Sequence, residues 1–264
     1  MGVPLYHNAA STCSVKARLA LVEKGVEFES QHVDLLKGEQ HDPEYVKLNP
    51  NHVVPTLIHD GKVMIESSLI IQYVDEAFSG PSLVPEDPYL RHQMRLGLKK
   101  VDEKLQPFAG IVTYAIGPRT ILMQKSEAER EAAYQAIPDP KKRVIRRSVV
   151  ENGIKAPEFR GALEGFVNYV DFMEQELKSN PWLAGAEFSL ADIGAVPYII
   201  RLNDLAMAPI FGPRVQDWFD RFQARPSFET AVTKWVTPPL LQLLNTNGKE
   251  VWADVEKLVA EIRG

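Results

Sequence analysis

The apolar positions in the first 78 residues change period several times. Residues 3–6 form a brief apolar run, and residues 14–24 then place Val15, Leu19 and Val22 at helical spacing. Gly25 follows where a helix C-cap favours glycine. Residues 26–33 mix apolar and polar positions as a strand with one exposed face does. Residues 42–48 read as one or two helical turns closed by Asn49-Pro50. Two apolar runs, 55–58 and 62–65, flank His59-Asp60-Gly61, and Asp-Gly between such runs predicts a hairpin. Residues 67–78 carry Leu69, Ile70, Tyr73, Val74 and Ala77 on one helical stripe. The predicted order is β-α-β-α-β-β-α.

Residues 79–88 hold one glycine and three prolines and read as a linker. From Tyr89 onward no strand pattern appears. Helical periodicity predicts helices at 89–116, 126–135, 158–179, 190–207, 213–224, 227–235 and 250–262. Ser189-Leu-Ala-Asp192, just ahead of an apolar run, is a capping box with Asp in place of Glu. The expected organisation is a mixed α/β domain over 1–79, a linker over 80–88 and an all-helical domain over 89–264.

Composition narrows the function classes. The chain has 264 residues, 45% of them hydrophobic and 25% charged, close to globular averages and far from disordered or fibrous compositions. No apolar run approaches the ~20 residues that span a bilayer, and the first residues lack the basic and apolar regions of a secretory leader. A net charge of −5 gives no overall attraction to phosphate backbones, so nucleic acid is not expected as a partner. A single cysteine, Cys13, rules out an internal disulfide, fits a reducing cytoplasm and excludes a cysteine-based zinc cage. The six histidines show no metal-ligand spacing, and no phosphate-binding glycine motif occurs, so neither a metal nor a nucleotide is expected.

Chemistry concentrates in two places. Ser11-Thr12-Cys13-Ser14 stands where the first strand meets the first helix. Orphan N–H groups and the dipole at a helix N-terminus favour an anion there, and a thiolate, from Cys13 or bound, would have its pKa lowered. The same residues also serve plain structure, because Ser and Thr are ordinary N-caps and a lone Cys is usually a small buried hydrophobe. The second place is Lys47-Leu-Asn-Pro-Asn-His-Val-Val-Pro55, followed by a hairpin and by Glu66-Ser67 at a helix start. Proline at the head of a strand is tolerated where its missing N–H is not needed. With Val54–Pro55 in cis, Val54 would turn its N–H and C=O toward an extended peptide-like ligand. A ligand carboxylate is welcome at the Glu66-Ser67 helix start.

These blocks, in this order and spacing, resemble the thioredoxin-like domain of the glutathione transferases over residues 3–78. They are Ser-x-Cys-Ser ahead of an amphipathic helix, Lys-x-Asn-Pro-x-x-x-Val-Pro-Thr-Leu, and Glu-Ser-x-x-Ile-x-x-Tyr. The helical half, with its Ser189–Asp192 box, resembles the transferase C-terminal domain. The fold implied is an α/β thioredoxin-like domain followed by an all-α domain. The ligand implied is glutathione as co-substrate, with a hydrophobic electrophile as second substrate and no metal.

The resemblance assigns the tripeptide residue by residue. Its cysteinyl backbone pairs with Val54 before Pro55, its γ-glutamyl carboxylate meets Ser67, and its amine faces Glu66. Its glycyl end approaches Gln40, His52 and Val53. Members often carry Lys at the Val53 position, and here His52 or Lys37 would replace that charge. Sulfur would lie over residues 11–14. Serine-type members place the activating hydroxyl at Ser11, cysteine-type members place a thiol at Cys13, and Ser14 offers a hydroxyl or N–H at the helix start. Ser11 is expected first and Cys13 second.

The electrophile is expected in a cleft between domains, lined by His7 and residues 8–10 and by Phe108, Ile111, Tyr114 and Ile116. The long stretch 117–160, with Asp139-Pro-Lys-Lys-Arg-Val-Ile-Arg-Arg147 and Glu151-Asn-Gly153, is similar to the bacterial β-aryl-ether-cleaving members. The basic run itself also reads as a solvated helix face. A homodimer, a cytoplasmic location and a detoxifying transferase role are what the family implies. Two alternatives stay open: a Cys13-dependent thiol transferase or lyase, and a non-catalytic glutathione-binding protein.

Overall fold

The computed structural model describes residues 2–264. Strands β1 (Pro4–His7), β2 (Glu29–His32), β3 (Thr56–His59) and β4 (Lys62–Met64) form one sheet in the order β2-β1-β3-β4. β1 runs parallel to β2 and antiparallel to β3, and β3 runs antiparallel to β4. Leu5 stands opposite Leu57 in this register, and both are fully buried. Helices α1 (Thr12–Glu23), α2 (Pro43–Leu48) and α3 (Ser67–Ala77) complete the expected β-α-β-α-β-β-α order.

Two expectations need correction here. The strand expected over 26–33 shortens to Glu29–His32, all four residues of which are exposed, because β2 is the sheet edge. The buried stripe of α3 is Ile70, Ile71 and Val74, while Leu69 is 62% exposed. The helix begins one residue after the left-handed Glu66, and that start sets the face it turns inward. Burial along α1 is continuous from Ser14 to Leu21, so Lys16 and Arg18 lie inside.

The rest of the described chain is helical: α4 (Pro88–Lys100), α5 (Gln106–Ile116), α6 (Arg119–Met123), α7 (Glu127–Gln135), α8 (Pro140–Asn152), α9 (Pro157–Glu176), α10 (Leu190–Asp204), α11 (Pro213–Gln223), α12 (Pro226–Phe228) and α13 (Pro238–Arg263). A π-turn, Val101–Leu105, joins α4 to α5. The sequence pattern did not predict α6, and it read α8 only as a basic run and α13 only from residue 250. Gly248 sits inside α13 because a Cβ there would come within 1.8 Å of the Leu205 carbonyl oxygen. Buried Asn247 donates to Gly117 O at 2.7 Å and Thr120 Oγ1 at 2.9 Å. An asparagine and a glycine thus serve close helix packing in the part of α13 that lies ahead of the predicted helix.

The chain divides into two compact units that do not follow the linker. One comprises Met1–Lys99, Asn180–Pro197 and Trp218–Val236, the other Lys100–Ser179, Tyr198–Asp217 and Thr237–Gly264. In the first, polar staples explain why helical segments join the sheet. The Glu23 carboxylate accepts from Arg225 Nε and Nη2 at 2.9 and 2.7 Å and from Ser227 Oγ at 2.5 Å. Asp192, fully buried, accepts from Ser189 N, Leu183 N and Trp218 Nε1 at 3.0, 2.9 and 2.8 Å. The Asp192–Ser189 N contact is one half of the capping box expected from sequence, extended by an indole, while Ser189 Oγ accepts from Ala191 N at 3.2 Å. In the second unit α9 comes so close to α5 that Gly165 makes room for the Phe108 ring.

Candidate functional site

The loop from β1 to α1 is built around Asn8 and Arg18. Asn8 Nδ2 donates to Val33 O at 2.9 Å, and Asn8 Oδ1 accepts from Ala10 N at 3.0 Å. Fully buried Arg18 donates to Asn8 O, Ala9 O and Ala231 O at 3.0, 3.1 and 2.8 Å. Its Nη1 also stands 3.0 Å from His7 Nδ1. A guanidinium only donates, so Nδ1 accepts and the ring proton is on Nε2, which donates to Ser30 Oγ at 2.8 Å. Burial, then the Arg18 charge, lowers the His7 pKa to about 3, and burial lowers Arg18 to about 9. His7 is therefore a neutral core residue with no exposed surface, edge-on to Trp235. That corrects its expected place against a second substrate.

Ser11 is the N-cap of α1, with Oγ accepting from Ser14 N at 3.3 Å. Ser11, Thr12 and Cys13 are half-buried and lie where a helix leaves its N–H groups without intrahelical partners. Ser14 differs. It is fully buried, and its Oγ accepts from Asn8 N at 3.1 Å, so it holds the loop and presents nothing to a ligand.

The loop after α2 is equally determined. Val53 O accepts from Tyr45 OH at 2.6 Å and Asn49 Nδ2 at 2.9 Å, and both donors also reach Thr56 Oγ1, at 3.0 and 3.1 Å. This turns the Val53 carbonyl inward and leaves its side chain 44% exposed. Val54 and Pro55 are buried, and the bond between them is cis. Glu66 has φ +69°, left-handed for a residue with a Cβ, a conformation that costs of order 1–3 kcal/mol and concentrates at functional sites. Its carbonyl accepts from Leu69 N and Ile70 N, starting α3, while its carboxylate accepts from Asn51 Nδ2 at 3.1 Å. Ser67 follows, 8% exposed. Lys16 Nζ donates to Ser68 Oγ at 3.2 Å, tying α1 to the start of α3.

Gln40 and His52 meet through His41, which the sequence reading passed over. His41 Nε2 lies 3.0 Å from Gln40 Nε2, and His41 Nδ1 lies 3.1 Å from His52 Nδ1. Burial, then His52, lowers the His41 pKa. Lys37 is exposed and pairs with Asp34 at 3.4 Å. Phe108, Ile111 and Tyr114 lie half-buried on α5, and the guanidinium of Arg146 covers the Tyr114 ring, 3.3 Å from its centroid. His41, Asn51, Tyr45 and Arg18 were not identified from sequence, and Asn8, expected among the residues lining the second-substrate cleft, has its side chain spent on Val33 O and Ala10 N. Their side chains act on partners fixed only by folding, and the one local sign was the density of Asn and His around Pro50.

Among the described residues no group of three or more His, Cys, Asp or Glu is placed to hold a metal, and no helix is long and apolar enough to cross a membrane. Comparison with known proteins converges on one family. The model of the glutathione S-transferase N-terminal domain matches residues 5–82, and that of the C-terminal domain matches residues 131–221. Protein LigF of Sphingobium sp. (strain NBRC 103272 / SYK-6) is 32% identical over 93% of this chain and 98% of its own. The crystal structure of the beta-etherase LigF from Sphingobium sp. strain SYK-6 matches with a TM-score of 0.78 over 88% of this chain and 98% of that one. A tetrachloro-p-hydroquinone reductive dehalogenase of Sphingobium chlorophenolicum is 30% identical over 87% of this chain and 95% of its own. A thioredoxin-like sheet domain followed by helices, full-length relatives and two matching family models establish that this chain belongs to the glutathione S-transferase family.

Proposed function

We propose that the enzyme activates glutathione at the N-terminus of α1 and uses it to cleave a β-aryl ether. The observation that carries the glutathione part is the left-handed Glu66, joined through Asn51 to the loop that ends at cis Val54–Pro55. That arrangement puts an acid, a nearly buried hydroxyl and a strand head within one connected network. In this reading Val54 pairs with the cysteinyl backbone, Ser67 takes the γ-glutamyl carboxylate and Glu66 the amine. Gln40, His52 and the Val53 stretch meet the glycyl end. The sulfur lies at the first turn of α1, where Ser11 donates a hydroxyl hydrogen bond and helix N–H groups stabilise the thiolate.

The ether class is supported by the 32% identity to a protein whose solved structure is described as a beta-etherase. Thiolate attack forms a carbon–sulfur bond and breaks the carbon–oxygen bond. The aryloxide leaves with the electron pair and takes a proton, giving a phenol and a glutathione thioether. Phe108, Ile111 and Tyr114 are the side chains assigned to the electrophile. A homodimer accompanies this reading, supported by large apolar side chains left exposed, among them Leu69 and Tyr89 at 62% and 67%. A cytoplasmic detoxifying or degradative role fits the same chemistry.

A second reading has its own support: Cys13, the single cysteine of the chain, is half-buried in the first turn of α1. In it the Cys13 thiolate attacks the glutathionyl sulfur of a disulfide substrate and takes it as a mixed disulfide while the other sulfur leaves as a thiolate. A second glutathione then attacks that sulfur, frees Cys13 and leaves as glutathione disulfide, so the enzyme is a thiol transferase. One experiment separates the two. Ser11→Ala and Cys13→Ser are assayed for phenol and thioether release from a β-aryl ether, with intact-mass analysis for a glutathione adduct. The ether reading expects Cys13→Ser to keep most activity and Ser11→Ala to lose more. An adduct on Cys13 together with an inactive Cys13→Ser reverses the order, and phenol release without glutathione removes both readings.

A further inference from the structure

Two imidazoles lie where the glycyl end of the tripeptide is assigned, and they touch. His41 Nδ1 stands 3.1 Å from His52 Nδ1, with the ring centroids 5.3 Å apart. On its other side His41 Nε2 is 3.0 Å from Gln40 Nε2. An amide NH2 only donates, so His41 Nε2 accepts and the His41 proton is on Nδ1. Nδ1 donates it to His52 Nδ1, which leaves the His52 proton on Nε2. Among the described residues His52 Nε2 has no hydrogen-bond partner. His52 is held in the left-handed region, φ +55°, and Gln40 Oε1 is buried without a partner. The neutral pair is thus a relay with a free donor at its outer end and an unused acceptor at its inner end. No permanent cation serves this place among the described residues. Val53 is apolar, Lys37 pairs with Asp34 at 3.4 Å, and Lys47 pairs with Glu44 at 2.5 Å. The other carboxylates on the surrounding elements are taken as well. Asp34 accepts from Leu36 N and Lys37 N, Glu39 from Asp34 N, Asp42 from Glu44 N and Glu66 from Asn51 Nδ2. What acts on His41 is burial first and the charge of His52 second, and both lower its pKa.

We infer that His41 and His52 together take up a proton when the glycyl carboxylate binds, and so supply a cation only while the ligand is present. The incoming carboxylate accepts from His52 Nε2–H. Its negative charge, one imidazole away, favours a second proton on His41, at Nε2. A half-turn of the Gln40 amide then gives that new N–H an acceptor in Oε1. The same half-turn moves the NH2 group to where Oε1 stood, as a further donor for the carboxylate. The two facing Nδ1 atoms still share a single proton, so the pair carries one positive charge and no more. Free His41 is held neutral at pH 7 by burial, and the bound anion raises its pKa. Affinity is therefore highest at low pH, falls across the interval between the free and bound pKa values, and is constant above it. The inference rests on the reading that Gln40 and His52 meet the glycyl end, and it adds a proton to that contact.

The test uses S-methylglutathione, whose capped sulfur has no proton to lose, and its glycyl ethyl ester, which has no glycyl carboxylate. Binding is measured by calorimetry from about pH 5.5 to pH 8 in two buffers of different ionisation enthalpy, which counts the protons exchanged. Wild type is expected to take up a fraction of a proton with S-methylglutathione below pH 7. It is also expected to bind that ligand about tenfold more weakly at the top of the range than at the bottom, the scale of a charge-assisted bond. The ester is expected to bring no uptake and a Kd that pH leaves unchanged. His41→Lys, which supplies a permanent charge, is expected to abolish the uptake and flatten the pH dependence. Binding of S-methylglutathione to wild type without proton uptake overturns the inference and leaves the glutathione reading standing. So does equal uptake with the ester, a comparison that needs no variant, and so does uptake that persists in His41→Lys. Failure of both ligands to bind wild type at any pH overturns the glutathione reading and this inference with it.

Discussion

Replacing Asp192 with alanine removes the acceptor for four donors at once. The carboxylate takes Leu183 N–H at 2.9 Å, Ser189 N–H at 3.0 Å, Ser189 Oγ at 3.2 Å and Trp218 Nε1–H at 2.8 Å. It does so while fully buried, beside a fully buried Trp218 and a nearly buried Ser189. Loss of the capping box alone costs about 1 kcal/mol. Each donor left buried without an acceptor adds roughly 1–3 kcal/mol. Relief of the buried charge offsets part of this, since burial raises the Asp192 pKa and its ionised form is held against that penalty. The net expectation is a loss of about 3–5 kcal/mol. At about 2 °C per kcal/mol for a chain of this length, the melting midpoint falls by roughly 6–10 °C. Differential scanning calorimetry of Asp192→Ala and Trp218→Phe, alone and combined, measures this. The double variant should lose less than the sum, because each single change already breaks the shared bond. A midpoint within about 2 °C of wild type, or strictly additive losses, would refute the reasoning.

Three further outcomes are expected. Ser67→Ala should weaken glutathione binding by about 1–3 kcal/mol, read by calorimetry, and unchanged affinity would remove Ser67 as the carboxylate partner. Gly248→Ala should destabilise the protein even though helix propensity alone favours alanine by about 1 kcal/mol, because the added Cβ meets a backbone carbonyl; a raised melting midpoint would contradict that packing. Asp204, the last residue of α10, has its pKa raised to about 6 from 3.8 by burial. The unfolded chain therefore ionises first as pH rises, so stability is lost between about pH 4 and pH 6 and stays lost above. Asp204→Asn should gain up to roughly 3 kcal/mol at pH 7 and nothing below pH 4, and a gain independent of pH would argue against burial as the cause.

What the sequence determined is what short range decides. The order β-α-β-α-β-β-α is written in period changes, in Gly25 and in the Asp60-Gly61 turn. The Ser189–Asp192 box is written in four consecutive residues, and the glutathione blocks in local spacing around Pro55 and Glu66-Ser67. Each of these acts through the backbone within a few positions of itself. Tertiary structure alone decided the rest. His7 reads as a site histidine until Arg18, eleven residues on, and Trp235, from the far end of the same unit, bury it. Ser14 reads as a catalytic hydroxyl until Asn8 claims it from below. Arg146 is one charge in a basic run until α5 brings Tyr114 beneath it, and Gly248 lies ahead of the last predicted helix until the Leu205 carbonyl requires that absent side chain. A side chain's chemistry depends on burial and on partners distant in sequence, and neither exists before the chain has closed on itself.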